Sequence, residues 1–477
     1  MSKLQLVIGL EMHCELKSKA KVFSTGINKY SDTANCHVSP VDMAFPGTLP
    51  IVNKKCIEHA IKMASVLNCT LADKFIFDRK NYYYPDLPKG YQITQSKKPI
   101  GTNGYIDIYV KDEIKRIYIH DIHIEEDTAS LDHYSDYSLI DYNRAGVPLL
   151  ETVTKPCMHS VDEALSFLDA LRKIFLYTSV SEARLDLGQM RCDVNVSISE
   201  KGSDKLGTRV EMKNIPSFAN VKDAIIVEVE RQKECLKNGE EIMQETRRYD
   251  ENTMKTYRMR EKVDGVDYKY FTEPNIPPFK ITDELINEVK STLPRLQFER
   301  IKDYTTNYNV SLVDAKSIAK SIEVADFYEE VIKLKVNPKV ASNWVANTVL
   351  GYLNSVEKEI TDIYLTPAML ADLIDMVESG KISSKQGKEV FKKVMEEEKE
   401  PKVIVEKLGI KQMGNEDELR SMVLEVIRDN EKMVEQYKSG RNVYNFFVGQ
   451  IMKKTSGQAN PVLTGKIVKE ELDKQWK

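Results

Sequence analysis

The chain offers little sulfur chemistry. Its seven cysteines are scattered through 477 residues, an odd number with no CxxC pair. That excludes a disulfide framework and argues for reduced thiols. Cys36-His37 is an adjacent pair of soft metal ligands, but no partner pair lies at finger spacing, so zinc is not expected. No uninterrupted apolar run is long enough to span a membrane. The N-terminus enters a strand-like pattern without the basic start and apolar stretch of a signal peptide, and the expectation is a cytoplasmic protein. Walker GxxxxGK[ST], strand-associated GxGxxG and HExxH motifs are all missing, so a nucleotide, if one binds, rests on something other than a glycine-rich loop. Positive charge is not in excess either. A formal net charge of −4 denies any global attraction to nucleic acid and leaves RNA contact to local basic patches.

What is present is ordinary in bulk and informative in pattern. Apolar residues make up 42% and charged residues 30%, as in soluble globular proteins. At about 150 residues per domain the length predicts about three domains. The stretch Val7 to Leu16, VIGLEMHCEL, alternates as a strand, with Glu11, His13 and Glu15 on one face and Leu10, Met12, Cys14 and Leu16 on the other. An apolar face must be buried, and a face with two carboxylates and an imidazole must be solvated, paired or bound to a cation. Four more segments repeat the pattern: KRIYIHDIHI (115–124), VPLLETV (147–153) with Glu151, RCDVNVSI (191–198) with Arg191, Asp193 and Asn195 on one side, and RVEMK (209–213) with Arg209, Glu211 and Lys213. Together they predict one open, largely antiparallel sheet with helices behind and a wide polar site in front. KRIYIHDIHI runs into Glu125, Glu126 and Asp127. Strict alternation puts Glu125 on the face of His123 and Asp121, whereas a bulge would bring Glu126 there instead.

Carboxylates with one histidine suit a hard cation such as Mg²⁺, and the interleaved Arg191, Arg209 and Lys213 suit phosphate. The segment DRKNYYYPDLPKGYQITQ (78–95) adds tyrosines, Tyr82 among them, and the cations Arg79, Lys80 and Lys89, a set suited to a base or a phosphate. Amphipathic helices are expected at Lys54 to Leu67 and from Ser217 to Asn238, and the prolines of TEPNIPPF (272–279) read as an exit linker. Beyond Thr282 helical periods with capped starts take over, as at Thr366-Pro367 and Ser383. The predicted organisation is α+β: a sheet domain over 1–282, a helical domain over 283–409 and a helical tail over 410–477. Arg441 to Lys469 holds five cations and no acid, and its centre, VGQIMKKTSGQANP, reads as a phosphate-contact surface through Lys453, Lys454 and Lys466.

In order, VIGLEMHCEL, DRKNYYYPDLPKGYQITQ, IHIEED, DYNRAGVPLLE, RCDVNVS, QETRRYDENT and VGQIMKKTSGQANP resemble the B-subunit family of the aspartyl/glutamyl-tRNA amidotransferases over nearly the whole chain. The resemblance implies a glutamine-synthetase-like catalytic sheet and a carbon-nitrogen ligase that uses glutamine as amide donor. It implies a heterotrimer completed by a glutaminase-type A chain and a small C chain. It further implies ATP as co-substrate, Mg²⁺, and misacylated Asp-tRNA(Asn) or Glu-tRNA(Gln) as the substrate whose side-chain carboxylate is phosphorylated and then amidated. By the same analogy His13, Glu126 and Glu151 hold the metal with Glu11 close by, and Arg79, Lys80, Tyr82, Arg191, Asp193, Asn195, Glu211 and Lys213 line the ATP and substrate pocket. Lys453, Lys454 and Lys466 contact tRNA. The chain departs from the family pattern at Leu187, Gln189 and Met190, at Ser130, and at Lys269, Thr272 and Asn275. The four cysteine positions of zinc-bearing members correspond to Ser24, Gly26, Ser39 and Asp42. An alternative reading follows from these departures: a divergent relative that binds tRNA and the other subunits with little catalysis.

Overall fold

Strand β1 (Leu4–Glu15) is the axis of a ten-stranded sheet. The structure, a computed structural model, describes residues 4–202, 205–213, 215, 217–261, 268–409, 416–439, 441, 443–455, 459 and 461–474. On one side β1 pairs with β3 (Pro148–Thr154), which pairs with β2 (Glu113–Glu126). On the other it pairs with β4 (Met190–Glu200), followed by β5 (Val210–Lys213), β6 (Glu245–Asp250) and β7 (Lys255–Glu261). Among the described residues only β5 and β6 run parallel. The short strands Gly101–Thr102 and Thr70–Leu71 extend the β2 edge, and Tyr105–Val110 pairs with β2 as well.

The alternation in the sequence becomes two faces of different chemistry. Leu10, Met12, Cys14 and Leu16 are buried in one apolar cluster beneath three helices. Helix α1 (Lys54–Val66) contributes Ile57, Ala60, Ile61 and Ala64. Helix α2 (Val161–Tyr177) contributes Phe167, Leu168, Leu171 and Phe175, and α3 (Phe218–Asn238) contributes Val221, Ala224, Ile225 and Val229. Each helix starts on a side-chain cap, Asn53, Ser160 or Ser217, accepting a backbone N–H of the first turn.

The proline-rich segment expected to leave the domain is instead stitched into it. Phe271–Thr272 pairs with the strand Asp78–Asn81, Phe279–Lys280 pairs with Lys74–Phe75, and Glu273 is buried against Arg79. Prolines bar central strands but leave two-residue edge pairings open. The first compact unit runs on to residue 298, with Val289 of the helix Asp283–Ser291 in the sheet's core.

The second unit, 299–477, is built from helices. Thr366 caps Pro367–Glu378, and Ser383 and Gln386 form a capping box at Ser384–Glu397. The helices Glu416–Arg428, Glu431–Lys438, Tyr444–Lys454 and Pro461–Lys474 share a separate apolar cluster that includes Leu419, Val423, Phe447, Ile451, Ile467 and Val468. No helix among the described residues is long and apolar enough to cross a membrane.

Candidate active site

Antiparallel register carries the polar residues of five strands into one row. His13 lies opposite Glu151 on one neighbour and Arg191 on the other, Glu11 opposite Asp193, Glu151 opposite His123, and Asn195 opposite Glu211. This face floors a cavity of about 630 Å³. Of the residues expected there, Glu11, His13, Lys80, Tyr82, Glu151, Arg191, Asp193 and Lys213 line it. Asn195 donates to Glu11 at 2.9 Å, and Glu211 pairs with Lys213 at 3.1 Å, so both brace the lining.

The expected trio of His13, Glu126 and Glu151 does not assemble. The ligand atoms of His13, Glu125 and Glu151 converge within 4.8 Å of one another, with His13 Nε2 at 3.3 Å from Glu125 and 3.4 Å from Glu151. Strand β2 keeps its alternation through Glu125, because the single slip in its pairing with β3 falls at Val153/Thr154, far from the acids. Glu126 therefore points to the opposite face. There it is buried on Lys89 at 2.5 Å and accepts from the backbone N–H of Ile93 at 2.8 Å. Arg79 also lies outside the cavity lining. Its guanidinium pairs with Glu273 at 2.5 Å and stacks on Tyr91 at 3.9 Å.

Three further residues take part that are not among the expected site residues. His123 shares the face of Glu125 and reaches Glu151 at 3.0 Å while Asp121 holds its other nitrogen at 2.8 Å. Asp127, just past the strand, receives Arg191 at 2.6 Å and lines the cavity. Continuing the period of two from Glu125 reaches both. Gln92, also in the lining, donates to the Glu126 carbonyl at 2.7 Å, and no local pattern marks it.

The electrostatics are those of a site built around positive charge. Burial alone would strip the proton from His13, but Glu151 and Glu125 outweigh it and hold the imidazole well above its usual range. His123 is pushed to about 10 in the same way, burial being overcome by Glu151 and Asp121. Glu151 is held well below the usual carboxylate range: burial opposes this, and His123 and His13 prevail. Two carboxylates and an imidazole converging within 4.8 Å match the donor set of a divalent ion. A second group, Glu11, Asp193 and Glu211, has the ammonium of Lys213 at 2.7 Å from Asp193.

The loop positions Ser24, Gly26, Ser39 and Asp42 do converge, around an ammonium. Lys21, with no exposed surface, reaches Asp42 at 3.0 Å, and the same carboxylate accepts from Ser24 Oγ at 2.7 Å and from the Ser39 N–H at 2.8 Å. A Cβ on Gly26 would lie 2.6 Å from Asp42 Oδ2, which is why the position has no side chain.

Of the tail cations, Lys453 and Lys454 end the helix Tyr444–Lys454, and Lys454 pairs with Glu425 at 2.6 Å from a neighbouring helix. Lys466 is exposed on the last helix. Much of the expected turn, Ser456 to Gln458 and Asn460, lies outside the described residues.

Comparison with known proteins bears on this geometry. A family profile described as the GatB/GatE catalytic domain matches residues 6–287, and one described as the GatB domain matches 326–472. A protein of Persephonella marina is 45% identical over 468 residues, covering 98% of this chain and 99% of its own. One from Geobacillus thermodenitrificans is 44% identical over 473 residues, 99% of each chain. One from Thermoanaerobacter pseudethanolicus is 44% identical over 474 residues, 99% of this chain and 100% of its own. All three bear the name of the B chain of an aspartyl/glutamyl-tRNA(Asn/Gln) amidotransferase.

Proposed function

The chain belongs to the GatB family of aspartyl/glutamyl-tRNA(Asn/Gln) amidotransferase B subunits, and from that premise we propose that its sheet face activates the side-chain carboxylate of misacylated tRNA with ATP and then amidates it. A carboxylate resists ammonia because resonance and negative charge disfavour attack. Transfer of the γ-phosphoryl group of ATP to one carboxylate oxygen gives an acyl phosphate and ADP. Ammonia then adds to the carbonyl carbon, loses a proton and expels phosphate, leaving the amide.

The observation that carries this reading is the convergence of His13, Glu125 and Glu151 beside the cations Arg191 and Lys213 on one face. His13, Glu125 and Glu151 would hold Mg²⁺, which supplies charge neutralisation at phosphate oxygens. Lys213 and Arg191, positioned by Asp193 and Asp127, counter the charge of the transferring phosphoryl group and the substrate carboxylate. His123, fixed between Asp121 and Glu151, sets the orientation of Glu151. The ammonia comes from a partner of the glutaminase type, and a small third chain completes the assembly. The tail from 410 onward contributes the tRNA backbone contact, and the complex works in the cytoplasm.

The deciding experiment supplies ammonia directly to the assembled complex with misacylated tRNA and ATP. Formation of Asn-tRNA or Gln-tRNA with stoichiometric ADP supports the reading. Binding of tRNA without ADP release would favour the divergent, non-catalytic relative suggested by the changes at Leu187 and Ser130.

A further inference from the structure

A second cavity, of about 720 Å³, shares no lining residue with the catalytic one. It lies where the chain leaves β1, at the first turns of α1 and beside Thr178 and Ser179 at the end of α2. Its volume is in the range of small-molecule sites. The walls are mostly apolar, from Ile51, Val52 and lysine stems, and the only charged side chains in the lining are Lys17, Lys19, Lys55 and Lys62.

Those charges are incompletely compensated. Lys17 pairs with Glu182 at 3.3 Å and Lys55 with Glu58 at 3.2 Å, both from outside the lining. The Lys62 ammonium reaches only the Thr178 carbonyl, at 3.4 Å, and that of Lys19 has no partner among the described residues. Helix α1 adds its N-terminal dipole with no acid in the first turn. His59, 4% exposed, lines the cavity with Nε2 on the Lys17 carbonyl at 2.8 Å and with Nδ1 left without a partner. Lys62 is pushed down by burial and then by Lys55, and His59 falls to about 4 through burial, Lys55 and Lys62. Lys62 and His59 thus lie in the positive field of Lys55, a field that an anion between these side chains would offset.

We propose that this cavity is a binding site for an organic phosphate, whose anion sits among Lys19, Lys55 and Lys62 and whose body packs on Ile51 and Val52. A phosphate offers several acceptor oxygens, which cations approaching from separate segments can share. A carboxylate offers two. The anion could be carried by a free metabolite or by a nucleic-acid backbone, and competition separates these sources.

The test is titration calorimetry on the full chain with glycerol 3-phosphate, with inorganic phosphate as the minimal probe and a short single-stranded RNA as competitor. Saturable glycerol 3-phosphate binding should weaken at least tenfold in Lys62→Met and several-fold in Lys19→Met. Lys19 is exposed, so its variant keeps the test valid if Lys62→Met misfolds. Lys213→Met, in the catalytic cavity, should leave this binding unchanged. Displacement by RNA would identify the backbone as the source, and its failure a free ligand. No saturable binding, unchanged affinity in both lysine variants, or loss through Lys213→Met instead would overturn the proposal.

Discussion

Glu125 and Glu126 are adjacent carboxylates with opposite surroundings, and two substitutions separate their roles. Glu125→Gln removes one of three converging ligand atoms from a cavity wall. It should fold normally and lower ATP-dependent amidation by more than about 100-fold, beyond the roughly 10–100-fold usual for residues that only orient a metal ligand. Glu126→Gln leaves the enclosed Lys89 ammonium without its counter-charge, so its first effect should be on stability, by about 3–5 kcal/mol. Denaturant unfolding alongside an ammonia-dependent amidation assay distinguishes them. If Glu126→Gln is fully stable and Glu125→Gln fully active, the site is misassigned. The Lys21–Asp42 pair follows the same logic. Lys21→Met should cost about 3–5 kcal/mol, and adding Asp42→Leu should recover much of that, because two apolar groups need no partner. A double variant as unstable as the single one would show that Asp42 matters more for Ser24 and Ser39 than for the lysine.

Helix α1 contributes a pH dependence of its own. His59 is buried neutral, its value lowered from 6.5 to about 4 chiefly by burial. The unfolded chain therefore binds a proton that the folded chain refuses between these values, and stability falls as the pH drops from above 6.5 through 4. Between pH 7 and 5.5 the loss should be about 1 kcal/mol. Unfolding midpoints for the parent and His59→Gln at both pH values test this: the variant should lose the slope, and an identical slope would assign it elsewhere. On the opposite face of the sheet, strand β2 shows how an element places chemistry. One unbroken period of two sends His123 and Glu125 to the site and Ile122, Ile124 and Glu126 to the interior.

At the scale of the molecule, the tail has its own apolar cluster, so a truncation at 410 should leave the sheet intact. Removing residues 410–477 should weaken tRNA binding and flatten its salt dependence while ATP binding survives, since the cations of 441–469 then no longer release counterions. Filter binding at two salt concentrations measures both, and an unchanged slope would mean that these lysines only solvate the helices. The Lys454–Glu425 pair already takes one cation partly out of play. The chain alone should not hydrolyse glutamine. Burial pushes the thiols of Cys14 and Cys56 up to about 12, far from nucleophilic, and no cysteine of the sequence sits in a recognisable glutaminase motif. Ammonia release from glutamine by the isolated chain would refute this.

By itself the sequence determined which residues face each way. Alternation in VIGLEMHCEL, RCDVNVSI and RVEMK is a local property of extended backbone, so the sheet, its polar face and two of the three covering helices, α1 and α3, were legible from spacing. It also determined the family, because long motifs in order survive without any knowledge of contacts. Only tertiary structure decided which face Glu125 and Glu126 take, since a bulge in β2 depends on how that strand pairs with β3. It alone put Arg79 on Glu273 across 194 residues and drew the proline-rich segment back onto the sheet. It also closed a loop around Lys21. Pairings between distant segments are selected by the burial and charge compensation available once the core has formed, and no local pattern encodes them.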